Sequence, residues 1–173
     1  MTLDDRARRI RLVLLDVDGV LTDGTIVIHA DGEESKGFNI KDGAAIVWTL
    51  SAGLNVGLLS ARESRATTAR ARQLGITLVR QGAGSKGSAF TRIVAELNLA
   101  DEEVAYMGDD LVDLAVMRRA GLAAAPADAA AEALDAAHWV SCQRGGHGAV
   151  RELLEVILKA QDRWSAVVAE SSR

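Results

Sequence analysis

Two aspartates separated by one residue stand at the end of a short apolar run near the start of the chain. Residues 12–15 are all Leu or Val, and Asp16, Asp18 and Gly19 follow within four positions. Four consecutive apolar residues predict a strand buried on both faces, as in a parallel sheet. Open α/β sheets bind their ligands at the carboxyl ends of the strands, where an acidic pair is costly without a cation. The pair therefore indicates metal-assisted chemistry.

Polar side chains also follow the next three predicted strands, which cover residues 54–59, 76–79 and 104–107. In the order of those strands, the residues are Ser60 and Arg62, then Lys86, then Asp109 with Asp110 and Asp113. Because the carboxyl ends of parallel strands meet at one edge, we expect these side chains to converge on the first acidic pair. The sequence thus predicts a single site that contains acids, a hydroxyl group and a lysine.

This combination of groups suits phosphoryl transfer. Carboxylate oxygens with room for water favour Mg²⁺, which would also relieve the repulsion between neighbouring acids. One aspartate can attack phosphorus and form an aspartyl-phosphate. A second aspartate two residues further on can act as general acid and then as general base. The lysine and the hydroxyl group would hold the phosphate oxygens.

Strands and helices alternate along the chain. Helices are predicted over residues 42–52, with Asp42 as N-cap, and then over 63–74, 86–97, 111–119, 127–137 and a last segment that ends near 164. A weak strand at 121–124 and a short one at 139–140 complete the pattern. We expect an α/β fold with a doubly wound parallel sheet. The chain should be one domain, 1–173, with a β-hairpin insertion at about 24–38 and a flexible tail at about 165–173.

Composition narrows the choice of partners. The 173 residues carry a formal net charge of −4, which argues against nucleic acid or an anionic membrane as the main partner. A single cysteine, Cys142, allows no internal disulfide and fits a reducing cytoplasm. The first eleven residues are charged and lack the apolar core of a signal peptide. We expect a cytoplasmic protein that acts on a small phosphorylated molecule.

The four motifs together resemble the haloacid dehalogenase (HAD) superfamily of phosphatases over nearly the whole chain. The resemblance implies a HAD-like Rossmannoid fold, with Asp16 as nucleophile and Asp18 as acid/base. It implies that Ser60 and Lys86 bind phosphate, and that Mg²⁺ is held by the Asp16 carboxylate, the Asp18 backbone carbonyl and Asp109. The acids Asp110 and Asp113 would have secondary roles, through water or by orienting the lysine.

Longer segments resemble one group within this superfamily, the phosphatases of 3-deoxy-D-manno-octulosonate 8-phosphate (KDO 8-phosphate). The segments are DVDGVLTDG, NIKDG, QGAGSK, GDDLVDLAVM and GGHGAVRE. Members of that group lack a large cap domain, associate through their hairpins into homotetramers, and bring a C-terminal glycine-rich segment near a neighbouring active site. This chain has Ser60-Ala61-Arg62 where Thr-Gly-Arg is common, and His147 where arginine is frequent. Arg62, Arg144 and His147 are candidate substrate contacts, and each is equally compatible with a surface or backbone role.

Three other functions remain open at this point. A phosphatase of nonulosonate (sialic acid type) 9-phosphates would share the mechanism, although Arg62, a cation suited to a sugar-acid carboxylate, favours the octulosonate. A non-catalytic oligomerisation module with the same fold would not need the four motifs, so their presence argues against it. The pattern Gly82-x-Gly84-x-x-Gly87 is typical of dinucleotide-binding proteins, but that function leaves Asp16 and Asp18 unexplained.

Overall fold

A computed structural model of the chain describes residues 1–171. The helices are α1 (Leu3–Arg9), α2 (Ile40–Ser51), α3 (Arg65–Leu74), α4 (Lys86–Glu96), α5 (Leu114–Met117), α6 (Ala131–Ala136), α7 (Ala149–Ala160) and α8 (Trp164–Ser171). The strands are β1 (Leu12–Leu15), β2 (Val27–Ile28), β3 (Glu34–Ser35), β4 (Asn55–Leu59), β5 (Leu78–Arg80), β6 (Val104–Met107), β7 (Leu122–Ala125) and β8 (Trp139–Val140). Two 3₁₀ turns, Asp101–Glu103 and Leu111–Asp113, lie on either side of β6.

Six parallel strands form the central sheet in the order β5-β4-β1-β6-β7-β8. After β1 the chain builds the sheet outward through β4 and β5, and then returns to the other side of β1 with β6. This reversal places the topological switch point, where open α/β sheets bind ligands, at the carboxyl end of β1. The prediction of a doubly wound parallel sheet is confirmed. The hairpin β2–β3 is a separate antiparallel pair within the predicted insertion.

Helices cover the sheet on both faces because the buried residues of β1 alternate in direction. Val13 and Leu15 pack with α2, α3 and α7, whereas Leu12 and Leu14 pack with α4, α5 and α6. Every residue of this strand is buried, as the unbroken apolar run predicted. A strand fixed on both faces gives the residues at its end a rigid support.

One local prediction is wrong. The N-cap of α2 is Asn39, whose side chain accepts hydrogen bonds from the Lys41 and Asp42 amides, so the helix begins before Asp42. The segment after residue 164 is helical as far as Ser171, and its Val167 packs against the core; residues 172–173 lie outside the described residues, and the flexibility of the tail stays a prediction. Across residues 1–171, no helix has the length and apolar character that a membrane span requires.

Candidate active site

A cavity of about 200 Å³ opens at the switch point of the sheet. Its lining comes from the ends of four strands and from the loops that follow them. The lining residues are Asp16, Asp18, Ser60, Ala61, Arg62, Lys86, Asp109, Asp110 and Val112. The structure therefore brings together the acids, the hydroxyl group and the lysine that the sequence predicted at one edge.

Asp16 and Lys86 form a buried ion pair in the centre of this cavity. The Asp16 Oδ2 atom lies 2.7 Å from Lys86 Nζ, and Asp16 Oδ1 accepts a hydrogen bond from the Val17 amide. Burial raises the pKa of Asp16 to about 6, and the charge of Asp113 adds to this effect while Lys86 opposes it. Burial alone would lower the pKa of Lys86, but the two carboxylates outweigh it and raise that pKa. The ion pair is retained at neutral pH.

Asp113 organises the neighbouring groups through four hydrogen bonds. Its Oδ1 accepts from Lys86 Nζ and from the Tyr106 hydroxyl, and its Oδ2 accepts from the Asp109 and Asp110 amides. Its side chain is fully buried. Two donors on each oxygen leave little capacity for a metal ion. Asp113 therefore orients the lysine and the loop after β6, one of the roles that the resemblance implied.

Asp109 is the acid with the least compensation. Among residues 1–171, no side chain or amide donates a hydrogen bond to its carboxylate. Burial raises the pKa of Asp109 to about 7, and repulsion from Asp16 and Asp113 contributes to the rise. The carboxylate lies against Gly19, where a Cβ would overlap it and where φ is +86°. Glycine thus leaves room for the Asp109 carboxylate at this point.

Asp16 and Asp109 are arranged so that a divalent cation could bind between them. Carboxylate oxygens of Asp16, Asp109 and Asp113 lie within 4.8 Å of one another. Burial raises the pKa of both Asp16 and Asp109, and repulsion from Asp113 adds to both shifts, so a cation bound between these carboxylates would oppose the rise. Hard oxygen donors beside open space suit Mg²⁺.

Ser60 and Arg62 occupy the opposite wall of the cavity. The Ser60 hydroxyl is buried and accepts a hydrogen bond from the Arg62 amide. The Arg62 side chain is 52% exposed, and its Nε lies 3.7 Å from Asp18 Oδ2. A buried hydroxyl and an exposed guanidinium at one opening can receive a phosphate and a second anionic group of the same molecule.

Sequence reasoning missed two polar residues that contact this site. Lys36, which follows β3, places its Nζ 2.6 Å from Asp18 Oδ1, and Tyr106 reaches Asp113 from inside β6. The tyrosine could have been noticed, because a hydroxyl group within an apolar strand needs a buried partner. The lysine gave no such signal, since its approach depends on how the hairpin folds over the sheet.

The glycine-rich segment after β8 does not line the cavity. Gly145 packs so closely on the Gly19 carbonyl that a Cβ would overlap it, so close backbone packing explains the glycine at this position. Arg144 is 74% exposed and its Nε lies 3.9 Å from Asp128. His147 contacts the Gly145 carbonyl and lines a neighbouring cavity together with Lys36. Within the chain, Arg144 and His147 are therefore outside the acidic cavity.

Comparison with known proteins agrees with this geometry. A family model described as haloacid dehalogenase-like hydrolase matches residues 57–153. The 3-deoxy-D-manno-octulosonate 8-phosphate phosphatase KdsC of Yersinia pestis is 44% identical over 158 residues, which cover 91% of this chain and 84% of that protein. The phosphatase of the same name from Moraxella catarrhalis, solved with magnesium ion, phosphate ion and KDO, has a TM-score of 0.95 and 33% identity, with 97% of both chains covered. The cobalt-bound enzyme of Haemophilus influenzae has a TM-score of 0.87 and 38% identity over 91% of this chain and 92% of that one.

Proposed function

Because the chain belongs to the haloacid dehalogenase-like hydrolase family, we propose that it is a Mg²⁺-dependent phosphomonoesterase that acts on KDO 8-phosphate. The observation that carries the proposal is the convergence of Asp16, Asp18, Lys86 and Asp109 on one cavity. Relatives named for this activity share 40–44% of their residues with the chain over nearly its full length. The family prediction made from the motifs is confirmed.

In the first chemical step, a carboxylate oxygen of Asp16 bonds to phosphorus. The bond between phosphorus and the sugar oxygen breaks, and Asp18 gives its proton to that oxygen. The Lys86 ammonium group fixes the Asp16 carboxylate for this attack and neutralises part of the phosphate charge. Ser60 holds a phosphate oxygen through its hydroxyl group.

In the second step, water attacks the phosphorus of the aspartyl-phosphate. Asp18, now a carboxylate, takes the proton from that water, and the bond between phosphorus and Asp16 breaks. Phosphate leaves and both aspartates return to their starting forms. Asp16, Asp109 and the backbone carbonyl of Asp18 would hold Mg²⁺, which lowers the repulsion between the nucleophile and the phosphate.

A panel of phosphate esters tests this function. We expect Mg²⁺-dependent phosphate release, with kcat/KM highest for KDO 8-phosphate and lower for nonulosonate 9-phosphates. Asp16→Asn should abolish turnover and leave the circular dichroism spectrum unchanged, whereas Asp110→Asn, at the exposed rim, should retain most activity. A preference for the 9-phosphate would assign the related substrate instead. Turnover by Asp16→Asn would refute the mechanism.

We also propose a homotetramer in the cytoplasm, with the hairpin at the subunit contact. Val27 and Ile28 on β2 are 51% and 65% exposed, and Ile40 at the start of α2 is 84% exposed. Exposed apolar side chains of this kind favour an interface between subunits. Arg144 and His147 would then face a neighbouring subunit's substrate. Light scattering on the purified protein should give four chains, and Ile28→Lys should lower that number.

A further inference from the structure

The return strand of the hairpin brings two charged side chains into contact with Asp18 and Arg62, which line the cavity. Glu34 and Lys36 alternate along the chain and share one face of it. Lys36 Nζ lies 2.6 Å from Asp18 Oδ1, and the lysine side chain has no exposed surface. A fully buried ammonium group is expensive unless it is paired. The position of this lysine is therefore tied to the carboxylate of Asp18.

Glu34 links this lysine to Arg62. One Glu34 oxygen accepts a hydrogen bond from Arg62 Nη2 at 3.1 Å, and the other lies 3.9 Å from Lys36 Nζ. Two acids and two basic side chains thus form a group that joins the hairpin to the loops after β1 and β4. We call Asp18, Glu34, Lys36 and Arg62 the hairpin quartet.

The two oxygens of Asp18 differ within this quartet. Oδ1 is hydrogen-bonded to Lys36, whereas Oδ2 is buried and has no hydrogen-bond partner in the part of the chain that the structure describes. The Nε atom of Arg62 lies 3.7 Å from Oδ2, which is beyond hydrogen-bonding distance. One oxygen is thus anchored by Lys36 and the other is not.

We propose that Lys36 is a positioning residue, which fixes Asp18 through Oδ1 so that Oδ2 carries the proton in catalysis. The inference rests on the proposed phosphatase function. In the first step the Oδ2 proton moves to the sugar oxygen as the phosphorus–oxygen ester bond breaks. In the second step Oδ2 takes a proton from the attacking water. Glu34 holds Lys36 in place, and the hairpin thereby contributes to the chemistry of its own subunit.

Burial separates this role from substrate binding. Arg62 is half exposed at the cavity opening and can meet an anionic group of the substrate. The Lys36 side chain has no exposed surface and its ammonium group is held by Asp18 Oδ1, so it is less available to a substrate carboxylate than Arg62 is. Loss of Lys36 should therefore lower kcat, whereas loss of Arg62 should also raise KM.

The test compares two leaving groups in Lys36→Met, with Lys41→Met, a change at an exposed lysine five residues further on, as control. A sugar phosphate needs protonation of its leaving oxygen, whereas 4-nitrophenyl phosphate releases a stable anion. On the sugar phosphate we expect kcat of Lys36→Met to fall by about 10²-fold with KM unchanged, because Asp18 is no longer oriented to protonate the leaving oxygen. On 4-nitrophenyl phosphate we expect a burst of nitrophenolate, near one per site, and then slow turnover limited by the second step.

Other results would overturn the inference. Equal losses on both esters without a burst indicate a structural role, and a rise in KM alone indicates a substrate contact. Wild-type kinetics in Lys36→Met would refute the role of Lys36 alone, whereas a wild-type protein inactive on both esters refutes the phosphatase function itself. If Lys36→Met does not fold, Glu34→Gln carries the same test, because it keeps the shape of Glu34 and removes the charge that holds Lys36.

Discussion

Replacing Asp109 by asparagine should stabilise the protein without metal and destabilise it with metal. Burial and the charges of Asp16 and Asp113 raise the pKa of Asp109 from 3.8 to about 7. Between these two values the folded state binds more protons than the unfolded state does. The free energy of unfolding therefore falls as pH rises through this range, and the loss is complete above the pKa of the folded state.

The size of this effect follows from the shift in pKa. A shift of about three units corresponds to at most about 4 kcal/mol. Asp109 is partly exposed, and screening by water reduces the value to about 2 kcal/mol. Asparagine has nearly the same shape and carries no charge. In EDTA at pH 8, Asp109→Asn should thus unfold with a free energy about 2 kcal/mol larger than that of the wild type, and the difference should shrink towards pH 5.

Magnesium should reverse the order of stability. At a Mg²⁺ concentration one hundred times the dissociation constant, binding to the folded state alone adds about 2.7 kcal/mol to the wild type. Asp109→Asn lacks the charged carboxylate that would bind the ion, so Mg²⁺ should stabilise it much less. The wild type then becomes the more stable protein, and the magnesium effect should weaken at pH 5, where protons compete for Asp16 and Asp109.

Urea unfolding followed by circular dichroism measures both orders, in EDTA and in excess MgCl₂ at pH 5 and pH 8. Asp110→Asn is the control, because Asp110 is exposed and affects the pKa of Asp109 less than Asp16, Asp113 or Lys86 does. A variant less stable than the wild type in EDTA at pH 8 would show that repulsion does not strain this site. Equal stabilisation of both proteins by magnesium would exclude Asp109 as a ligand.

Three further substitutions test the supports of the site. Tyr106→Phe removes a hydroxyl that donates to Asp113 and should cost about 1–2 kcal/mol in urea unfolding while kcat falls several-fold, because Lys86 is less firmly placed; unchanged kcat would contradict that reasoning. Asp42→Ala leaves the amides of Gly148 and Arg151, at the start of α7, without their acceptor. The free energy of unfolding should fall by about 1–3 kcal/mol and lower Tm, and an unchanged Tm would argue against this role of Asp42. Gly145→Ala should weaken Mg²⁺ binding in calorimetry while helix content stays unchanged, because the added Cβ would displace the loop that contains Gly19. Unchanged affinity would show that this loop tolerates the displacement.

The sequence could predict the sheet and the central residues of the site because both depend on local patterns. Apolar runs such as residues 12–15 specify strands, and parallel strands share one polar edge on which Asp16 and Lys86 meet. Asp42 shows the limit of this reasoning. It precedes an apolar segment and suits a local N-cap, yet its carboxylate binds the amides of Gly148 and Arg151, more than a hundred residues away.

Lys36 shows the same limit in the site itself. A lysine on a short exposed hairpin is typical of a solvated strand, and only the folded hairpin reveals its side chain against Asp18. The structure also separates Arg144 and His147 from the cavity, because Gly145 is required where the loop crosses Gly19. Long-range contacts of this kind have no periodic signal in a single sequence.

The acids at the edge of the sheet differ in how fully their charge is compensated, and this difference agrees with the roles that we propose for them. Asp113 accepts four hydrogen bonds and is fully buried, which suits a support that does not change during the reaction. Asp16 is paired with Lys86 at 2.7 Å, which opposes the effect of burial on its pKa and keeps the carboxylate oriented for the proposed attack. Asp18 is anchored at Oδ1 by Lys36, and its Oδ2 has no hydrogen-bond partner among residues 1–171. Asp109, with a pKa near 7 and no hydrogen-bond donor among residues 1–171, has the strongest need for a cation. The order of compensation among these four acids is therefore the one that we expect of a support, a nucleophile, a proton carrier and a metal ligand in the proposed mechanism.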